Sequence, residues 1–418
     1  MARGRVFYGW WVTIAFAVMV LLSTGVRFAV GPFLKPMVAD LGTDRAAYSL
    51  VVSLSLLLYG VFMPFVGQLV QRWGARPVAV SGILVFAASL AGTGLVTTLW
   101  QLAIVYGVLV ALGLSATGHV VGSAVVSRWF IRRRATALSV LGAASMAGMS
   151  LLVPLAMWLI LLVGWRATYA LIGLGSAIVL LPLALWVIRE SPESMGLGMD
   201  GGTPEPAASG AAAKRVTAME AMQTLAFWQL GGSFFTCGFS MSLLSAHGVP
   251  MLTDHGYTPM FASWALGILG ASSIGGTMIL GAISDRIGRR PVLSSIYAGR
   301  ILIFSGFFLI RDNPIAIVAV AILGGITMSG TGSMTSALTA DIWGRFSVSR
   351  VLGVIFLVHQ TGSAIGSWLA GALFEATGGY GAAFILACLF LFGAAVVALR
   401  VDTGKRRLWR TASAPATS

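Results

Sequence analysis

Twelve apolar runs follow one another along this chain, at about 10–34, 46–70, 77–97, 101–127, 136–163, 167–188, 224–250, 258–283, 291–310, 314–340, 351–374 and 380–400. A helix needs about 20 apolar residues to cross a bilayer. In hydrocarbon every backbone polar group must be satisfied, and a run of this kind satisfies its own only as a helix. The expected fold class is therefore an all-α membrane protein with twelve transmembrane helices. Charged residues make up 10% of the 418, too few to clothe a soluble surface, which takes roughly 25%. The 57% apolar content excludes disorder.

An even number of spans puts both termini on one face, and the basic residues say which. With the N-terminus inside, the inner segments carry 21 of the 27 Lys and Arg, and the outer face carries only Lys35, Arg45, Arg166 and Arg311. That bias orients the chain with both termini cytoplasmic. The net charge of +14 sits in short gaps between apolar runs, so it points to an anionic leaflet and membrane lipid, not to nucleic acid. Arg3 and Arg5 ahead of an apolar stretch imitate a signal peptide, but the stretch continues to Leu34, so it reads as an uncleaved first span. Phe7, Tyr8, Trp10 and Trp11 form an aromatic belt at its entry. Cys237 and Cys388 fall inside apolar runs and read as reduced packing residues.

One long polar stretch interrupts the pattern. It divides the chain into a six-helix bundle over 1–188, a flexible cytoplasmic linker over 189–222, a second six-helix bundle over 223–400 and a cytoplasmic tail over 401–418. The halves repeat. Gly67-Gln-Leu-Val-Gln-Arg-Trp-Gly-Ala-Arg-Pro77 matches Gly281-Ala-Ile-Ser-Asp-Arg-Ile-Gly-Arg-Arg-Pro291, 214 positions on. Gly164-Trp-Arg-Ala-Thr-Tyr169 matches Gly379-Tyr-Gly-Ala-Ala-Phe384, 215 positions on. Parallel repeats of six spans, related by an axis along the membrane normal, are a transporter architecture.

Gly281, Asp285, Arg286, Gly288, Arg289 and Arg290 resemble the signature loop of the major facilitator superfamily, Gly-x-x-x-Asp-Arg-x-Gly-Arg-Arg/Lys. Gly67, Arg72, Gly74 and Arg76 form a degenerate first copy in which Gln71 stands at the Asp position. The resemblance implies two loops between spans 2–3 and 8–9 that gate the cytoplasmic face. It also implies a cavity near the midplane between the bundles. Physically, Gly281 would permit close helix approach, and Asp285 would cap a helix or pair with an arginine. A narrower resemblance rests on Tyr8-Gly-Trp-Trp11, Gly25-Val-Arg27-Phe, Cys237-Gly-Phe-Ser240 leading to His247, Tyr297-Ala-Gly-Arg300 and His359-Gln360. It is to a bacterial branch related to monocarboxylate porters and oxalate/formate exchangers. That branch carries a cation on span 8, where 258–283 here holds no Lys, Arg, Asp or Glu. The run from Gly142 to Pro154 lacks the Gly-Pro-x-x-Gly-Gly sequence of the superfamily's drug/proton antiporters.

Ionisable side chains inside spans are costly and mark function by default. Here they are Arg27, His119, His247, Arg300 and His359, while Asp254, Asp341 and Glu375 lie at span ends. Arg27 either snorkels to the outer headgroups or faces the cavity. Arg300 lies near the midplane, where it either bonds carbonyls or takes part in binding. With no acid beside them, either arginine would be relieved by a bound carboxylate. The candidate substrate-binding residues are therefore Arg27, Tyr59, His247, Arg300, His359 and Gln360. With no mid-span carboxylate, the candidates for proton coupling are His247, His359 and His119. His247, ahead of Gly248 and Pro250, is expected to sit at a helix break. No Gly-Lys-Ser/Thr loop is present for ATP, no metal-ligand spacing occurs, and no cofactor or enzyme site is indicated. The expected activity is secondary transport by alternating access in a bacterial inner membrane. The cargo would be a small organic anion such as a monocarboxylate, taken up with protons by a monomer. The alternatives are an anion exchanger, an exporter of neutral or amphiphilic compounds and, more distantly, a transporter-like sensor.

Overall fold

Helices in this chain end where a glycine takes a backbone conformation closed to other residues. Positive φ angles occur at Gly42 (59°), Gly74 (90°), Gly164 (78°), Gly256 (91°), Gly288 (95°) and Gly378 (72°). These fall into three pairs, each 214 residues apart, so the turns of the first half recur in the second. The second sequence match is thereby corrected by one residue: the structural partner of Gly164 is Gly378, not Gly379.

The computed structural model describes residues 7–201, 216–328, 330–344 and 348–402, without the side chains of 119, 120, 135, 278, 285, 348 and 349. The side chains of His119 and Asp285 and the tail beyond 402 thus lie outside the described residues. The N-terminal helices are α1 (Tyr8–Phe28), α2 (Val30–Leu41), α3 (Arg45–Trp73), α4 (Ala75–Thr93), α5 (Leu99–Leu102), α6 (Ala111–Thr117), α7 (His119–Trp129) and α8 (Arg134–Pro182). A π-helical stretch, Ala103–Val110, joins α5 to α6. After the short α9 (Ala218–Met222) come α10 (Leu225–Asp254), α11 (Pro259–Ile287), α12 (Arg289–Leu309), α13 (Pro314–Met328), α14 (Gly330–Trp343), α15 (Val348–Thr377) and α16 (Gly381–Arg400). Side-chain caps set several starts. Asp44 accepts from the Ala47 N–H, Thr224 from Phe227 and Thr258 from Phe261.

Among the described residues, ten helical stretches are long and apolar enough to cross a bilayer. One of them, Thr136–Val187, has 52 residues. At about 1.5 Å per residue it is more than twice as long as the hydrocarbon core is thick, and Gly164 (φ 78°, ψ 165°) breaks it. The 30-residue α10 is not among the ten. It is more polar and largely buried against its neighbours.

The halves are built alike. In the first, α1 and α4 both pack on α8; in the second, α10 packs on α15 and α12 on α16. Two close backbone approaches also repeat at the same offset. A Cβ on Gly148 would meet the Leu21 carbonyl oxygen at 2.2 Å, and one on Gly362 would meet that of Phe235 at 2.2 Å. Only glycine admits contacts of that kind. The halves meet along two seams, α3 against α15 and α8 against α11, and α2 also leans on α10.

Four expectations are revised. The first span extends past 34 to Leu41 and is interrupted at Ala29, so Arg27 stands midway along it. α10 is unbroken at His247, because Pro250 sits inside a continuous helix. The carbonyl that Pro250 leaves unbonded, that of Ala246, instead faces Gly31 of α2. The start of the linker is fastened down. The Arg189 carbonyl accepts from Trp129 Nε1, and the Asp200 carboxylate accepts from the N–H groups of Ile131 and Arg132. Burial pushes the Asp200 carboxyl up, but those N–H donors outweigh it and hold the group below the ordinary carboxylate range, so it stays charged at neutral pH. Finally, Gly67 and Gly281 face open space and mediate no helix contact.

That last point separates two glycines of the same loop. Gly288 (φ 95°, ψ 158°) occupies a region reserved for glycine, so Gly288→Ala should cost about 1–3 kcal/mol. Gly281→Ala, in open helix, should be neutral or slightly stabilising by about 0.5–1 kcal/mol. Thermal unfolding of the two purified variants beside the parent checks the contrast.

Candidate functional site

A cavity of about 50 Å³ opens between the halves, large enough for several water-sized guests. Its wall includes Arg27, Ser55, Tyr59 and Tyr106 from the first half and Met241, Ser242, His359 and Ser363 from the second. Arg27 occupies the last turn of α1, where the negative end of the helix dipole favours a cation. Its Nη2 donates to Gln360 Oε1 at 3.1 Å, across the seam. Its guanidinium carbon lies 5.1 Å from the centre of the Tyr59 ring. Arg27 therefore turns inward and does not snorkel. No carboxylate pairs with it among the described residues.

Gln360 organises this cluster. Its Nε2 donates to the Leu56 carbonyl at 3.2 Å, which fixes the amide so that Oε1 faces Arg27. The same Oε1 lies 2.9 Å from His359 Nδ1. An amide oxygen only accepts, so His359 carries its proton on Nδ1. Three of the six expected binding residues, Arg27, Tyr59 and His359, thus line one cavity, and a fourth, Gln360, bonds two of them. The polar cavity residues that the sequence reading missed are the hydroxyls of Ser55, Tyr106, Ser242, Ser245 and Ser363. Ser363, whose buried Oγ has no hydrogen-bond partner, is the most telling of them. Serine inside an apolar helix usually bonds its own backbone, so sequence offers no signal that sets Ser363 apart.

His247 lies elsewhere, near the end of the molecule where Gly42 and Gly256 turn. Its Nε2 faces Ser49 Oγ (3.2 Å) and the Ser367 carbonyl (2.9 Å), and its Nδ1 faces the Tyr380 hydroxyl (3.1 Å). Tyr380 Oη accepts from Arg45 Nη1 at 2.9 Å. Arg45 in turn grips Asp254 with both terminal nitrogens, at 2.6 and 3.2 Å, and Lys35 adds a third bond to Asp254 at 2.7 Å. The Glu375 carboxylate caps the Arg45 backbone N–H at 3.0 Å. This chain of contacts clasps the two halves together. Lys35 and Arg45 are two of the four basic residues that sequence had assigned to the outer face.

Arg300 is fully buried inside the second half, away from the cavity wall. Its Nη1 donates to Ser240 Oγ at 3.3 Å, and its Nη2 donates to Thr331 Oγ1 at 3.1 Å and to the Met328 carbonyl. Those bonds stitch α10, α12 and the junction of α13 with α14. Its place off the cavity wall corrects the expectation that it contacts cargo.

At the Gly74 and Gly288 turns, Arg76 bonds the Leu185 carbonyl, and Glu190 accepts from the Ala75 N–H at 2.8 Å. Arg289 pairs with Asp341 and donates to the Ala337 carbonyl at 3.0 Å. Glu190, from the linker, thus caps the helix that follows the degenerate loop, which has Gln71 where the second copy has Asp285. Arg72 and Arg286 are basic residues of the same turns.

Two alike halves of membrane-length helices, closed over a shared cavity, define a polytopic membrane protein. The chain belongs to the Major Facilitator Superfamily, whose family model matches residues 16–313 and again 230–416. Family and relatives are transporters, not enzymes. A Bacillus subtilis (strain 168) protein named uncharacterized MFS-type transporter YcxA is 26% identical over 413 residues, covering 93% of each chain. The oxalate:formate antiporter of Oxalobacter formigenes is 24% identical, covering 92% of this chain and 89% of its own. Monocarboxylate transporter 13 of Bos taurus is also 24% identical, covering 92% and 87%. Among solved structures, a bacterial homolog of the human lysosomal transporter Spinster, inward-facing and unoccupied, superposes with a TM-score of 0.73. It is 17% identical and covers 99% of this chain and 100% of that one, a likeness of fold alone.

The clasp can be tested directly. Asp254→Asn leaves Arg45 and Lys35 without their shared counter-ion. Spin labels at Thr43 and Tyr257, in a background lacking both cysteines, should then report a longer distance distribution than in the parent.

Proposed function

We propose that the chain moves a small organic anion, a monocarboxylate in the first instance, by alternating access between two six-helix bundles. The bundles are 1–188 and 223–400, joined by the linker 189–222. The protein acts as a monomer of twelve spans in a bacterial inner membrane, with both termini and the tail 401–418 cytoplasmic. The clasp of Arg45, Lys35 and Asp254 then lies on the outer face, and the Gly74 and Gly288 turns lie on the inner one as gating loops.

The observation that carries this reading is Arg27, a cation in a half-buried cavity whose protein partners are a neutral amide and an aromatic ring. A charge removed from water without a counter-ion costs several kcal/mol. A carboxylate entering the cavity relieves that cost and meets a fork of donors shaped for it. The two named relatives that act on monocarboxylates or on oxalate and formate fit the same chemistry. Tyr59 and the cavity serines supply further hydrogen bonds. His359, bonded to the same Gln360 oxygen as Arg27, is the residue placed to couple a proton to the anion. Imidazole is the side chain whose ordinary titration falls between pH 5 and 8. His247 is committed to the outer clasp, which leaves His359 as the coupling candidate at the cavity.

Proteoliposomes loaded with labelled monocarboxylates test the scheme. Arg27→Ala should reduce carboxylate flux at least tenfold, on the scale of a lost charged hydrogen bond of about 1.5–3 kcal/mol. Arg27→Lys should retain part of it. His359→Gln should leave counterflow intact but abolish acceleration by an inward proton gradient. Undiminished flux in Arg27→Ala would defeat the anion role, and parent flux driven by trans substrate alone would replace symport with exchange.

A further inference from the structure

Soft ligands gather at and just behind the cavity wall, where Met241 and His359 face the space and Cys237 is buried behind them. Cys237 and Met241 lie four residues apart on α10, with Cys237 Sγ and Met241 Sδ 3.8 Å apart. Two sulfurs bound to one metal at about 2.3 Å with a tetrahedral angle stand at about that separation. His359, reaching in from α15, lies within hydrogen-bonding reach of the Cys237 thiol. Its Nδ1 is occupied by the Gln360 oxygen, so Nε2 keeps the ring's free lone pair. A carbonyl-type acceptor on one imidazole nitrogen is the usual outer support of a metal-binding histidine. Met241 and His359 both line the cavity, so an ion can arrive from it.

Polar groups stand beside the sulfur. Thr331 Oγ1 accepts from Arg300 and lies 3.0 Å from Cys237 Sγ. With its lone pair engaged by the guanidinium, the hydroxyl has its proton to give to sulfur. Arg300 itself keeps an unpartnered Nε in the same buried space and adds positive charge beside the thiol.

We propose that Cys237, Met241 and His359 form a binding site for a monovalent soft metal cation of the Cu(I) class. Thioether and thiolate together select Cu(I) over harder ions, and the absence of any carboxylate in the trio excludes Ca²⁺ and Mg²⁺ chemistry. Binding is a ligand exchange: the Cys237 S–H bond breaks, its proton leaves to cavity water, and sulfur bonds the ion, which Met241 Sδ and His359 Nε2 complete. No electron is transferred. The site is independent of the anion reading, although it shares His359 with it.

Titration of the purified full-length chain with Ag(I), and with Cu(I) under a competing chelator, measures the site without any transport assay. One ion per chain is expected. Cys237→Ser should abolish it, Met241→Leu and His359→Gln should each weaken it about tenfold to a hundredfold, and Cys388→Ser should leave it unchanged. Cys237→Ala gives a second reading should the serine variant fold poorly. Binding that survives both Cys237 variants, that follows Cys388, or that ignores both Met241→Leu and His359→Gln overturns the site. So does a parent protein that takes up no ion. Loss of anion flux in Arg27→Ala alongside full Ag(I) binding would separate the two proposals.

Discussion

A guanidinium held between two packed helical bundles, with a neutral amide where a carboxylate would normally stand, sets the terms for the rest of this molecule. Arg27 is tolerated because three weak compensations add up: the negative end of α1, the Gln360 oxygen and the face of Tyr59. None of them neutralises the charge. The interruption of the first span at Ala29 matters for the same reason, since it brings the negative end of a helix to mid-membrane depth beside Arg27. Arg300 shows the alternative solution. It is equally free of acidic partners, but carbonyl and hydroxyl oxygens surround it and it locks three segments of one bundle together. One arginine of the pair faces a cavity, and the other is spent on architecture.

Where charges do meet, they meet at the rim. Asp254 gathers Lys35 and Arg45 across the seam, partly exposed to solvent. Ion pairs in such a position are worth little each, which suits the proposed scheme, in which the halves must part on this face. Beneath it the chain Arg45–Tyr380–His247–Ser49 carries the connection inward on neutral hydrogen bonds. A buried ion pair there would be costly to separate. The gradation from charged rim to neutral interior keeps the closed state specific without making it permanent.

Most of the scaffold was legible because membrane physics leaves few choices. Run length gave the helices, and the loop arginines gave an orientation that still rests on sequence. The duplication was visible in Pro77 and Pro291, and six of the positive-φ glycines extend it to three pairs of turns. The candidate site was legible in part. Ionisable residues in apolar runs are rare enough to stand out, and three of the six binding candidates line one cavity with a fourth, Gln360, bonded to two of them. What could not be read was direction. Nothing in sequence says that Arg27 faces Gln360 from 333 residues away while Arg300 faces its own bundle. The break expected at His247 failed because Pro250 shows only that one hydrogen bond is missing, not whether the helix bends. Here the freed carbonyl is packed against Gly31 and the helix runs straight on. Gly281 failed likewise: a glycine on a helix suggests contact, yet its Cβ position is empty.

The soft-ligand trio shows why spacing searches miss sites in bundles. Cys237 and Met241 are one turn apart, but the third ligand comes from a helix 118 residues later in the chain. What joins them is Gly238, whose Cβ position lies 2.1 Å from the His359 carbonyl oxygen, so α10 and α15 touch backbone to backbone at that level. The same contact brings His359 beside Cys237. His359 therefore cannot be understood from either neighbour alone. Its Nδ1 is tied through Gln360 to Arg27 and to whatever Arg27 binds, while its Nε2 is left for a proton or a soft cation. One amide oxygen, shared by a guanidinium and an imidazole, is enough to make the contacts of Arg27 at the cavity and of His359 at its wall depend on each other.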